Sequence, residues 1–164
     1  MQSMAAKRLS YRIVSEPRGP SYEALIRYCA AEGATGTLAD LFPKSRAGAQ
    51  ARAEFIKRAE PDFIATEMAG RWPLGEPQTG NSAKPTPLWR FALGDPVLDF
   101  LLHGPRGLYG WKSPKFPEDL AIYRTDGTVL LGTVSHEYIG WMNLSEPEVS
   151  DPRLGLVELQ ASRA

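Results

Sequence analysis

The sequence has one cysteine, no net charge and no long apolar run. The single thiol, Cys29, excludes a disulfide framework and any cysteine-rich zinc site. Lys and Arg number 19 and Asp and Glu number 19, so the chain lacks the basic surplus that a general nucleic-acid binder needs. No apolar run approaches the roughly 20 residues that span a bilayer. The start, Met1-Gln2-Ser3-Met4-Ala5-Ala6-Lys7-Arg8, lacks the apolar centre of a signal peptide. These absences read as a cytoplasmic protein without a nucleic-acid or membrane partner. With 164 residues, 43% hydrophobic and 23% charged, the composition is that of an ordinary globular chain. One domain over residues 1–164 is the natural count, and it can bury a core without staples.

Proline and charge are unevenly spread. Of 14 prolines, 8 lie between Pro73 and Pro117, where long helices and central strands are disfavoured. Residues 73–87 (PLGEPQTGNSAKPTP) show no apolar period and read as an exposed loop. Residues 1–60 hold 10 Lys/Arg against 6 Asp/Glu; residues 61–164 hold 9 against 13. Between residues 137 and 158, Glu137, Glu146, Glu148, Asp151 and Glu158 stand against one base, Arg153. That surplus reads as a solvated face or as an acidic patch for a basic partner.

Leu9, Tyr11 and Ile13 alternate with polar residues, a half-buried strand. Tyr22, Leu25, Ile26, Cys29 and Ala30 form one helical stripe, with Ser21 as N-cap and Gly33 past the C-terminus. A second helix is expected over 47–60, with Ala51, Phe55, Ile56 and Ala59 inward. A third is expected from Pro61 through Phe63, Ile64 and Met68 to Gly70. Residues 88–93 read as a short strand. Asp95-Pro96 then opens a short helix carrying Val97, Leu98, Leu101 and Leu102, stopped by Gly104-Pro105. Residues 120–124 and 128–131 flank Thr125-Asp126-Gly127, a hairpin signal in which both turn positions want positive φ. A third strand follows over 138–144. The expected fold is α+β: a central antiparallel β-meander with helices packed on one face.

Few residues carry chemistry. Cys29 sits on the apolar stripe and reads as an inert core thiol. His136-Glu137 could supply a general base, but Tyr138-Ile139-Gly140 follow, so the HExxH zinc pattern is missing. His103 is the only other imidazole. Glu118-Asp119, after Pro117, are too few carboxylates to specify a divalent cation and suit a turn cap. No Gly-rich phosphate loop and no Ser-centred nucleophile elbow occur. No cofactor and no metal are therefore expected. Tryptophans at 72, 89, 111 and 141 read as core anchors or as a groove for a partner.

Residues 111–141 read WKSPKFPEDLAIYRTDGTVLLGTVSHEYIGW. The PEDLxxYRxDG segment followed by His-Glu resembles a group of small uncharacterised bacterial proteins, some labelled stage III sporulation protein AH-like. More loosely, the chain resembles bacterial toxin-immunity proteins, including those related to yeast cell-wall assembly regulators, which share a Pro-rich lead into a meander and a D-G turn. That resemblance implies a small non-enzymatic protein that neutralises a toxin by occluding it. On this reading Glu137, Trp141, Glu146, Glu148 and Asp151 contact a protein partner, such as a basic toxin domain. The competing expectation is a small hydrolase or transferase, with His136 as general base and Glu137 or Asp119 orienting it.

Overall fold

A computed structural model of the chain describes residues 6–74 and 81–162. In chain order its elements are β1 (Arg8–Ile13), α1 (Pro20–Glu32), β2 (Thr35–Ala39), α2 (Arg46–Ala59), β3 (Phe63–Arg71), β4 (Asn81–Ala92), α3 (Asp95–Leu102), β5 (Glu118–Tyr123), β6 (Val129–Val134), β7 (Ile139–Ser145), α4 (Glu146–Val149) and β8 (Leu159–Ala161). The strands form one sheet, ordered β3-β4-β2-β5-β6-β7-β1-β8, and all neighbours are antiparallel. The chain is thus α+β, with the meander β5-β6-β7 inside a wider sheet. Among the described residues, no helix is long and apolar enough to cross a membrane.

Strand alternation divides the sheet into two faces. Leu38, Phe91, Ile122, Leu131 and Met142 lie on one, linked by the registers of β2, β4, β5, β6 and β7. They form the main core with Leu25 and Ile26 of α1, Phe55 of α2, and Val97 and Leu101 of α3. Phe55 stacks on Trp89 at 5.1 Å and meets Phe100 edge-on at 5.2 Å, so aromatic contacts tie α2 to both sheet and α3. On the other face Trp72 covers Ala39 and Leu88, and Leu74 covers Ala121, Tyr123 and Val129.

α1 follows its stripe: Tyr22, Leu25, Ile26 and Cys29 are buried, and Tyr28 joins them. Its N-cap is Gly19 rather than Ser21, and Pro20 opens the first turn. Ser21 instead accepts from the Arg18 N–H and donates to the Arg18 carbonyl. Gly33 ends the helix in an extended conformation. What requires glycine there is close packing, since a Cβ would fall 2.6 Å from Ile122. In α2, Ser45 is the N-cap, accepting from the Gly48 N–H at 2.9 Å. Phe55 and Ala59 point inward as expected, but Ile56 is 40% exposed.

The expected helix over 61–70 is not formed. A single 3-10 turn over Glu60–Asp62 leads directly into β3. Phe63, Ile64 and Met68 suit a strand as well as a helix, and pairing with β4 decides between them. Half-buried Phe63, Ala65, Glu67 and Ala69 alternate with exposed Ile64, Thr66 and Met68, a period of two. The expected loop over 73–87 is also shorter than its prolines suggest. β4 begins at Asn81 and runs through Pro85 and Pro87; residues 75–80 of that loop lie outside the described residues. Pro87 still accepts through its carbonyl from the Asp40 N–H at 2.8 Å, so proline removes one donor without ending the strand.

The D-G turn connects β5 and β6 as expected, but by a different geometry. Only Gly127 has positive φ, at 85°. Its N–H donates to the Arg124 carbonyl at 2.9 Å, and the Arg124 N–H donates to the Thr128 carbonyl at 2.8 Å. This is a three-residue loop with glycine at its left-handed position, and the register slips by one residue beside it. β7 starts at Ile139, one residue later than expected, because Tyr138 takes a left-handed conformation, φ 53°.

Candidate functional site

The chemistry-bearing residues converge at the end of the sheet where β5 begins and β6 finishes. Glu118 and Asp119 open β5, are 2% and 7% exposed, and turn to different partners. Glu118 accepts from the Ser113 N–H at 2.9 Å, and the same oxygen lies 2.9 Å from Nδ1 of His136. Asp119, at φ 56°, accepts from the Ser135 N–H through one oxygen and from the Trp72 indole N–H through the other, both at 2.7 Å. The two carboxylates thereby clamp the 3-10 turn Ser135–Glu137 and the segment carrying Trp72.

Burial pushes the Glu118 carboxyl above the ordinary carboxylate range. The Ser113 N–H and His136 oppose that shift, while the charge of Asp119 adds to it. Burial also raises Asp119, against the indole and backbone N–H groups that favour its charged form. His136 is 58% exposed on its side chain while Glu118 is only 3% exposed. A buried carboxylate therefore orients an imidazole that reaches solvent. This geometry can fix a tautomer and support proton transfer at Nε2.

Beyond the turn the chain projects outward. His136, Glu137, Tyr138 and Ile139 are all exposed, Tyr138 at 64% and Ile139 at 44%. The Tyr138 N–H donates to the Ser135 carbonyl at 3.1 Å. Its ring meets Tyr109 edge-on at 5.8 Å, and the Lys112 ammonium lies 5.2 Å from its centroid. The result is a knuckle of four exposed residues held from behind by buried acids.

The expected partner-binding residues do not form one patch. Glu137 precedes β7 and Glu146 follows it, separated by seven strand residues, or about 23 Å at ~3.3 Å per residue. Glu148 is committed internally: it pairs with buried Arg124 through two contacts of 2.9 and 3.1 Å and closes a capping box with Ser145. Asp151 caps the turn at Pro152–Leu154 and pairs with Arg153, which also reaches Glu32 at 2.7 Å. Glu158 accepts from the Ser15 hydroxyl. Half-buried Trp141 lies over Gly132, on the sheet face away from the helices. Of the four acids expected at the partner surface, Glu137 and Glu146 are exposed, whereas Glu148 and Asp151 are half-buried.

For the alternative set, the residue beside His136 is Glu118, in place of Glu137 or Asp119. The sequence signal was the acid pair after Pro117, which suited a turn cap but gave no hint of its partners. His103 pairs with Asp99 at the end of α3. Cys29 is buried, and burial pushes its thiol up. Among the described residues, no three His, Cys, Asp or Glu side chains converge on a metal position. Comparison with protein-family models, with curated proteins and with solved structures finds no match.

Proposed function

We propose that the protein is a binding module whose contact surface is the knuckle His136–Glu137–Tyr138–Ile139. The carrying observation is Tyr138: a large aromatic at positive φ, 64% exposed, on a foundation fixed by two buried carboxylates. A non-glycine residue in this conformation is strained, and such strain concentrates at binding and catalytic positions. A rigid exposed aromatic loses little entropy on docking and suits an interface anchor. Its concrete form is an immunity-type protein that occludes a basic toxin domain, with Glu137 beside the anchor steering association. Affinity capture from the native host with the wild type and Tyr138→Ala tests this. The partner retained by the wild type is lost by the variant, while the melting curves coincide. For the toxin form, the partner arrests growth when expressed alone and ceases to do so when the chain is co-expressed. Equal retention by both proteins overturns the knuckle.

One observation favours a second reading, a small hydrolase or transferase with His136 as general base: the 2.9 Å contact between its Nδ1 and buried Glu118. On that reading His136→Ala abolishes turnover without moving the melting curve, and Glu118→Gln shifts the pH profile of the rate. A wild type that captures its partner and shows no detectable turnover, with Glu118→Gln leaving capture independent of pH, removes it.

A further inference from the structure

We propose that Trp72 is a positioning residue for the knuckle, acting through Asp119. Trp72 follows β3, the outermost strand of the sheet. β4 and β2 lie between that edge and β5, a gap of about 14 Å at ~4.8 Å per strand. The segment after β3 closes this gap on the face away from the helices. Trp72 covers Leu88 of β4 and Ala39 of β2, and Leu74 covers Ala121 and Tyr123 of β5 and Val129 of β6. The Leu74 N–H donates to the Tyr123 hydroxyl at 3.0 Å, and that hydroxyl also bonds Thr37 of β2 at 2.9 Å. Residues 72–74 thus form a strap laid over four strands. Its one side-chain donor, the Trp72 indole N–H, ends on Asp119 at 2.7 Å.

Apolar cover alone does not call for that donor, since a phenyl ring would also bury Ala39 and Leu88. What the indole adds is an N–H, from a buried residue to a buried carboxylate. Asp119 stands at φ 56°, and such a conformation persists only where its surroundings over-determine it. Separate elements hold its two oxygens, the strap at Oδ2 and the Ser135 N–H at Oδ1. Ser135 opens the 3-10 turn, and its carbonyl accepts from the Tyr138 N–H at 3.1 Å. A chain of three hydrogen bonds therefore runs from the strap to the residue that carries the exposed ring. Without the indole, Asp119 loses one of the two N–H donors that oppose the effect of its burial, and its carboxylate is released to swing away from Ser135. That the knuckle is the contact surface rests on the function proposed above; that Trp72 fixes its shape does not.

Amide hydrogen exchange of the free, full chain, read by NMR, tests the positioning. Trp72→Phe keeps an aromatic ring and removes the donor. Exchange at Ser135 and Tyr138 should accelerate about tenfold, the effect of losing one hydrogen bond to a charged group, while Glu23 of α1 and Leu98 of α3 keep their rates. Unchanged exchange at the knuckle, or an equal acceleration in the helices, overturns the proposal. In an Asp119→Asn background the same replacement should add nothing at Ser135, because the indole and the turn no longer share a charged acceptor. Two accelerations that multiply would overturn Asp119 as the route. The wild type supplies a check that needs no Trp72 variant. As Asp119 titrates, the Trp72 indole proton and the Ser135 amide proton should shift with one midpoint. Asp119→Asn should abolish that shared step, which separates it from the titrations of Glu118, His136 and Glu137 nearby. Separate midpoints, or a shared step that survives Asp119→Asn, overturn the route. A captured partner should bind Trp72→Phe several-fold more weakly. Binding as tight as wild type despite faster exchange would support the positioning and overturn the knuckle as the contact surface.

Discussion

At Asp119 one buried carboxylate serves two N–H donors from distant parts of the chain, while its own backbone stands at φ 56°. Asn tolerates that conformation, so Asp119→Asn isolates the side-chain chemistry. An amide has one acceptor oxygen, and its NH2 would face either the Ser135 N–H or the Trp72 indole N–H. The variant should lose roughly 1–3 kcal/mol, the cost of a buried donor left unpaired. Urea denaturation measures it, and a midpoint equal to wild type would remove Asp119 as the knuckle's foundation. Cys29 is the simpler case. It is 1% exposed and its thiol is pushed up by burial, so a thiol reagent should label the native protein slowly and the unfolded protein quickly. Rapid native labelling would contradict this. The setting of Cys29 was legible because its partners recur every three or four residues along one helix. The role of Glu118 was not, because its partner His136 lies 18 residues away across a hairpin and no local pattern encodes that contact.

At the scale of elements, the β5–β6 hairpin was legible because its signal is local: apolar runs on both sides of an Asp-Gly. The turn's conformation was less so, since one positive φ rather than two satisfies the strands once the register slips. Nothing lies within 4 Å of a Cβ built on Gly127, so a side chain there meets only backbone strain. Gly127→Val should cost on the order of 1–3 kcal/mol. Gly127→Asn should cost less, because Asn enters the left-handed region more readily. Thermal melts of the pair check the order; two variants that melt alike would show that steric room, not φ, governs the site. The segment now seen as β3 misled for the opposite reason. Ile64 and Met68 are exposed on an edge, so the stripe that suggested a helix was not a buried face at all. β4 is less legible because its prolines look like loop punctuation, although the carbonyl of Pro87 still accepts from the Asp40 N–H after β2.

For the whole molecule, the class was legible from a run of helix periods followed by strand periods. The strand order was not, because β1 joins the sheet beside β7 through contacts more than a hundred residues apart in sequence. The same long-range assembly sets how folding responds to pH. Burial raises the carboxyls of Asp40, Glu118 and Asp119 above the ordinary range, with Arg52 opposing the shift at Asp40. Three others are lowered. The Thr128 hydroxyl and N–H hold Asp126 at about 2, and Arg153 holds Asp151 down. At Glu148 burial acts upward but is outweighed by the Ser145 N–H and Arg124. A lowered group stabilises above its unfolded value and loses that contribution as pH falls through its folded one. A raised group stabilises below its unfolded value and loses that contribution as pH rises through its folded one. The two sets therefore oppose each other on either side of the ordinary carboxylate range, about 4. Folding stability should peak there and fall in both directions. In a pH series of urea melts, Asp119→Asn should flatten the upper limb and Glu148→Gln the lower one. A stability that climbs steadily to neutrality in the wild type would mean that the N–H donors and cations around Asp40, Glu118 and Asp119 outweigh their burial.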